Sequence, residues 1–161
     1  GVSKGIDLII DALKLLQDEV VRDVHLTMVL PKDPAWTRKI VIEQIRKTRI
    51  SDYITILQSV SESKILELKQ NHDAVLIPSY SEGFCFAAVE SVRDNLPIIA
   101  SPNGALRETV SGKHLFMDHF TSEALKDAIL KAKQNLWRIS EKRVFTLDYT
   151  IESYVNLYRS I

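Results

Sequence analysis

Residues 74–90 read AVLIPSYSEGFCFAAVE. The first four are short, apolar and uninterrupted, which predicts a buried strand over 74–77, stopped by Pro78. Ser79 to Gly83 supply turn-forming residues, and an apolar-periodic segment then predicts a helix over about 84–93. Strand, glycine-containing loop and helix in this order form the ligand-facing unit of an α/β sheet. Ligands bind there outside the carboxyl ends of the strands.

The same alternation extends outward in both directions. Upstream, the spacing of Ile6, Leu8, Ile9, Ile10, Ala12, Leu13, Leu15 and Leu16 predicts a first helix. Strands are expected over 25–30 (HLTMVL) and 53–57. Between them lies a helix over 34–48 with Asp33 as its cap and Pro34 at its first position. Ser61 should cap a helix over 61–70. Downstream, strands are expected over 97–100 and 114–117 and short helices over 105–110 and 151–158. Thr121 and Ser122 should cap a longer helix reaching about Trp137, and a charged joint follows at 140–143. The pattern predicts a Rossmann-like α/β domain, a mostly parallel sheet flanked by helices on both faces. Such domains begin with a strand and this chain begins with a helix, so the first strand is expected ahead of Gly1.

Composition narrows the function. A length of 161 residues suggests one domain, and 45% hydrophobic residues suffice for a core. With 21 basic and 21 acidic side chains, the basic excess of a nucleic-acid binder is absent. No apolar run has the length of a membrane span, and the start lacks the pattern of a signal peptide. The single Cys85 cannot form an internal disulfide and suits a reducing compartment, so a cytoplasmic location is expected. No two of the five glycines form G-x-G, which removes the dinucleotide fingerprint, and the P-loop is missing too. There is no D-x-D, H-E-x-x-H or G-x-S-x-G. The four scattered histidines read as surface or internally satisfied residues, so no metal site is expected.

What remains is the loop and helix after the third strand. Gly83 would let backbone approach a ligand closely. The amides of Phe84, Cys85 and Phe86, with the helix dipole, would form an anion site suited to a diphosphate. Glu90, two turns into the helix, can accept paired hydrogen bonds from vicinal hydroxyls such as those of a ribose. Glu82 lies in the loop, where a sugar beyond the phosphates would sit. At this helix start Cys85 is expected to have a lowered pKa and to react readily. The alternative is a small buried filler. Phe84 and Phe86 read equally well as core or as ligand contacts, and Arg107 as a surface residue.

The run Pro78-Ser79, Glu82-Gly83-Phe84-Cys85 and Glu90-Ser91 resembles the E-x7-E signature of the retaining family 4 glycosyltransferases, which have the two-domain GT-B fold. Further segments agree with it. Lys4-Gly5 before an apolar helix resembles the family's K-G segment. Asn95-Leu96-Pro97-Ile98-Ile99-Ala100 resembles G-x-P-V-I-A, and the run Gly104, Ala105, Leu106, Arg107, Glu108, Thr109, Val110 resembles G-G-x-x-E-I-V. The resemblance covers residues 1–134. It implies that Lys4 binds the donor diphosphate in place of a metal ion, that Glu90 holds the ribose, and that Glu82 faces the transferred sugar. Gly83, Phe84, Cys85 and Phe86 would line the donor, and Ser59 and Val60 would lie near its base.

The resemblance also implies a division of the chain. Residues 1–138 would bind a nucleotide sugar, and 139–161 would cross to an N-terminal domain that binds a glycan or lipid-linked acceptor and is absent here. The implied activity is retaining hexosyl transfer from a nucleoside-diphosphate sugar with no cofactor, and the whole enzyme could sit peripherally at the inner face of a membrane. A sugar-nucleotide epimerase on the same fold and a non-catalytic sugar-nucleotide-binding module are the alternatives. Two departures stand out: Cys85 replaces the family's third glycine, and Asn95 replaces the glycine before the P-V-I-A strand, where asparagine can still adopt a left-handed turn.

Overall fold

A computed structural model describes residues 4–18, 23–30, 35–48 and 50–160. In chain order the helices and strands are α1 (Ile6–Asp18), β1 (Leu26–Leu30), α2 (Ala35–Arg46), β2 (Ile54–Gln58), α3 (Glu62–Gln70), β3 (Val75–Ile77) and α4 (Phe86–Arg93). There follow β4 (Ile98–Ala100), α5 (Leu106–Thr109), β5 (Lys113–Phe116), α6 (Ser122–Lys133), β6 (Arg138–Ile139) and α7 (Leu147–Arg159). The expected cap and first-position proline of α2, Asp33 and Pro34, lie outside the described residues.

The strands pair in parallel except at β6, the edge of the larger sheet. β1 pairs with β2 from Leu26 opposite Ile54 to Leu30 opposite Gln58. β3, β4 and β5 form a second ladder in that order, with Leu76 opposite Ile99 and Ile99 opposite Leu115. The single sheet expected from the sequence is thus two ladders among the described residues. A side chain links the two regions: His72 donates from Nδ1 to the Leu68 carbonyl (2.7 Å), and its Nε2 lies 2.8 Å from Thr27 Oγ1 on β1. This is the satisfied histidine expected from the sequence.

The core explains the alternation. Ile9, Leu13 and Leu16 of α1 pack with Met28, Ile99, Leu115, Leu125 and Ile129 in one cluster, so α1 and α6 cover the same apolar layer. A second cluster joins Ile77, Ala88, Val92, Ile98, Leu106 and Val110 beneath α4 and α5. All three β4 residues are buried, as a strand covered on both faces requires. Each large aliphatic side chain buried this way contributes about 1.5–3 kcal/mol.

Local signals place most boundaries. Ser61 caps α3 by accepting from the Lys64 amide, and Thr121 caps α6 by accepting from Ala124. Asn95 adopts φ 61°, the left-handed turn expected where the family has glycine. Other elements differ from expectation. α6 ends at Lys133 rather than near Trp137, because Asn135 turns left-handed at φ 58° just beyond its cap. The freed chain forms β6, which pairs antiparallel with Lys113 and His114 at the sheet edge. α7 starts four residues earlier than residue 151, because Thr146 accepts from the Tyr149 amide and caps it.

Candidate functional site

The carboxyl ends of β3 and β4 release two loops, 78–85 and 101–105, and the Lys4-Gly5 turn before α1 closes against them. Close backbone contacts fix this junction. Gly5 is buried at φ 68°, and a Cβ there would lie 2.0 Å from the Pro78 carbonyl oxygen. Gly104, at φ 54°, would place a Cβ 2.6 Å from the Glu82 carbonyl oxygen, which accepts from the Ala105 amide at 3.0 Å. Both positions exclude a side chain. Gly83 differs: a Cβ there meets nothing within 4 Å, so the protein's own packing does not require glycine at that position.

The side chains converge on Glu82. Its Oε1 accepts from Lys4 Nζ at 2.7 Å and from Ser79 Oγ at 2.7 Å. Ser79 is 1% exposed, and its carbonyl accepts from Ser101 Oγ at 2.5 Å and from Asn103 Nδ2 at 3.4 Å. The Glu82 side chain is 9% exposed and that of Lys4 59%. Burial pushes the Glu82 pKa up, but the hydrogen bonds from Lys4 and Ser79 outweigh it and hold the carboxyl below its usual range. Glu82 is therefore a carboxylate at neutral pH. The structure brings together Lys4 and Glu82, which stand 78 positions apart in the sequence.

Neighbouring groups brace the loop. Tyr80 Oη donates to Asp7 Oδ2 of α1 at 3.1 Å, and its ring lies 4.1 Å from that of Phe120. Asp7 Oδ1 is buried without a hydrogen-bond partner among the described residues, in the first turn of α1, where the helix dipole favours a negative charge.

Helix α4 begins at Phe86, later than expected, because Cys85 occupies the cap position at φ 69°. This left-handed backbone costs a non-glycine residue about 1–2 kcal/mol. The expected low pKa of Cys85 is not found. Burial pushes the thiol up, and the Glu82 carboxylate adds to that; the nearby Ala88 and Ala87 amides and the charge of Lys4 only partly oppose it. Phe84, half-buried, packs edge-on to Phe86 and to Phe145 of the C-terminal segment, each at 5.2 Å. Phe86 is 73% exposed.

Glu90 forms no hydrogen bond with the Lys4–Glu82 pair; its Oε2 accepts from Lys69 Nζ of α3 at 3.0 Å. Ser59 follows β2 at φ 45°, with its amide donating to the Leu30 carbonyl at 3.4 Å, and Val60 is half-buried beside it. Arg107 donates from Nε to the Pro102 carbonyl at 2.8 Å, a surface loop contact as expected. The supports Ser101, Tyr80 and Lys69 do not stand out in the sequence, and Ser79 and Gly104 enter it only as members of the motifs. The i, i+3 spacing of Ser79 and Glu82 was a usable signal; Ser101 reaches the site only through strand pairing. Among the described residues no helix is long and apolar enough to cross a membrane, and no group of three or more His, Cys, Asp or Glu side chains gathers as metal ligands.

Comparison with known proteins places the chain in a family and a fold. MMP alpha-(1->4)-mannosyltransferase of Mycolicibacterium hassiacum is 34% identical over 66% of this chain and 25% of its own length. A probable sucrose-phosphate synthase of Thermosipho melanesiensis is 30% identical over 96% of this chain and 38% of its own. In structure, Anabaena HepE, solved in complex with UDP-glucose, superposes with a TM-score of 0.72 at 20% identity, covering 84% of this chain and 37% of that one. The chain thus spans between a quarter and two-fifths of the length of these proteins. The family described as Glycosyl transferases group 1 matches residues 2–144, and the chain belongs to that family.

Proposed function

We propose that this chain is the donor-binding half of a retaining glycosyltransferase that takes a nucleoside-diphosphate sugar. The observation that carries the reading is the half-buried Glu82 carboxylate, held by Ser79 and by Lys4 beside the start of α4. An ammonium has three donors. Glu82 takes one from Lys4, and the other two suit diphosphate oxygens. The first amides of α4 add a partial positive charge on the same side. Lys4 and the helix start would stabilise the leaving diphosphate as negative charge develops on it, with no metal ion in that role.

Because Glu82 is ionised, it suits an acceptor of sugar hydroxyl hydrogen bonds and a guide for Lys4, not a proton donor. Glu90 would hold the ribose, and Ser59 and Val60 would flank the base. Donors bound by relatives, such as the UDP-glucose of HepE, indicate the ligand class. α7 has no buried residue and carries exposed Leu147, Tyr149, Ile151, Tyr154, Leu157 and Tyr158. It would cross to an acceptor-binding domain and dock there, and residues 1–138 would form the donor domain.

Calorimetry with UDP, ADP and GDP tests the reading. One of them should bind, and Lys4→Ala should weaken it by about 1.5–3 kcal/mol, roughly ten- to a hundredfold. Equal affinity of variant and wild type would remove Lys4 from the site.

A further inference from the structure

Glu90 on α4 and Asp94, the C-cap of that helix, stand four positions apart, so their carboxylates share one face and repel. Between them lies Lys69, in the last turn of α3. Its Nζ donates to Glu90 Oε2 at 3.0 Å and to Asp94 Oδ2 at 2.9 Å. The three side chains form a gradient of exposure: 17% for Lys69, 18% for Asp94 and 47% for Glu90. Asp94 is fixed further by Arg93 Nε, which donates to its Oδ1 at 2.9 Å. The inner pair is therefore an anchor, and Glu90 is its wet outer end. Its Oε1 has no partner among the described residues.

A partly exposed glutamate samples many rotamers, and ordering it opposes ligand binding. A lysine clamped from below removes much of that freedom before a ligand arrives. We propose that Lys69 is a positioning residue for ribose recognition: held by Asp94, it fixes Glu90 through Oε2 and leaves Oε1 to accept from a vicinal hydroxyl. This rests on the reading of Glu90 as the ribose-holding group. Burial lowers the Lys69 pKa, but the hydrogen bonds to Asp94 and Glu90 carry it above its ordinary value, so the clamp is charged throughout the neutral range. An arginine could also bridge the two carboxylates, with different geometry, whereas a methionine fills the volume without a donor.

The test compares UDP, ADP and GDP with their 2′-deoxy counterparts by calorimetry, in wild type, Glu90→Ala, Lys69→Met and Lys69→Arg. The quantity read is the ratio of 2′-deoxy to ribo dissociation constants. In wild type it should be about tenfold, the worth of one hydrogen bond to a charged group. It should fall towards unity in Glu90→Ala and in Lys69→Met, with affinity for the 2′-deoxy compound nearly unchanged, and recover in part in Lys69→Arg. A merely structural lysine would weaken both nucleotides equally, and that result overturns the proposal. A ratio lost in Glu90→Ala but kept in Lys69→Met overturns the role of Lys69 alone. A ratio kept in Glu90→Ala, or no binding of any of the nucleotides, overturns the ribose reading and the proposal with it.

Discussion

Gly5→Ala is the sharpest probe of how the site is built. The new Cβ would lie 2.0 Å from the Pro78 carbonyl oxygen, 3.0 Å from its carbon and 3.2 Å from Pro78 Cγ, where ordinary contacts begin at 3.4 Å. The nearest atom is backbone, so no side-chain rotation relieves the clash. The left-handed φ of 68° costs an alanine about 1–2 kcal/mol, and forcing an extra carbon into packed surroundings costs about 1–3 kcal/mol. Together they give roughly 2–5 kcal/mol, a large part of the stability of a typical domain. At about 2–4 °C per kcal/mol for a chain of this size, the melting temperature should fall by roughly 4–20 °C. Thermal unfolding followed by circular dichroism measures it. Gly83→Ala is the control: with open space around its Cβ it should stay within about 0.5 kcal/mol of wild type. A Gly5→Ala variant that melts with the wild type would refute the packing of Gly5 on Pro78, and with it the placement of Lys4 against Glu82.

Other measurements probe the chemistry. Gly83→Ala should keep its melting temperature yet weaken nucleoside-diphosphate binding, because the open face of Gly83 lies beside the proposed donor; calorimetry showing unchanged affinity would place the donor elsewhere. Chelator should leave nucleotide-sugar binding intact, and binding that disappears with chelator and returns with magnesium or manganese would overturn the role given to Lys4. Alkylation of Cys85 requires the thiolate, and its folded pKa is raised. The rate, followed by mass spectrometry, should therefore climb only above the ordinary thiol range and lag behind that of the unfolded chain at every lower pH. A native rate that already levels off near neutral pH would show that the helix start outweighs burial.

Local chemistry was legible wherever one residue decides an outcome. Ser61 and Thr121 cap their helices because a hydroxyl next to an apolar-periodic run has one obvious use. Asn95 turns left-handed for the reason that glycine would. The signature loop also fell where the sequence put it, between β3 and α4. Features decided at a distance were hidden. Arg138 and Ile139 become a strand only because Lys113 and His114 offer a free edge. The sign of the Cys85 shift depends on how deeply the thiol is buried, which no helix-end argument contains. The Lys69 bridge joins α3 to α4, and neither helix alone announces it.

Where the α/β body stops has a consequence for handling the protein. Arg143 donates to the carbonyls of Arg107 and Glu108 at 2.8 and 2.6 Å, and its amide to Ser111 Oγ at 3.0 Å, while Phe145 rests on Phe84. These contacts pin the chain up to about residue 146. Beyond that point lies a helix of 13 residues with nothing buried, a length at which an isolated helix is marginal in water. A protease selective for aromatic residues should thus cut first at Tyr149, Tyr154 or Tyr158, clipping off the tail and leaving a trimmed, folded core. If the tail docks on an acceptor-binding domain as proposed, that contact should shield those same bonds, so the rate of clipping becomes a gauge of assembly.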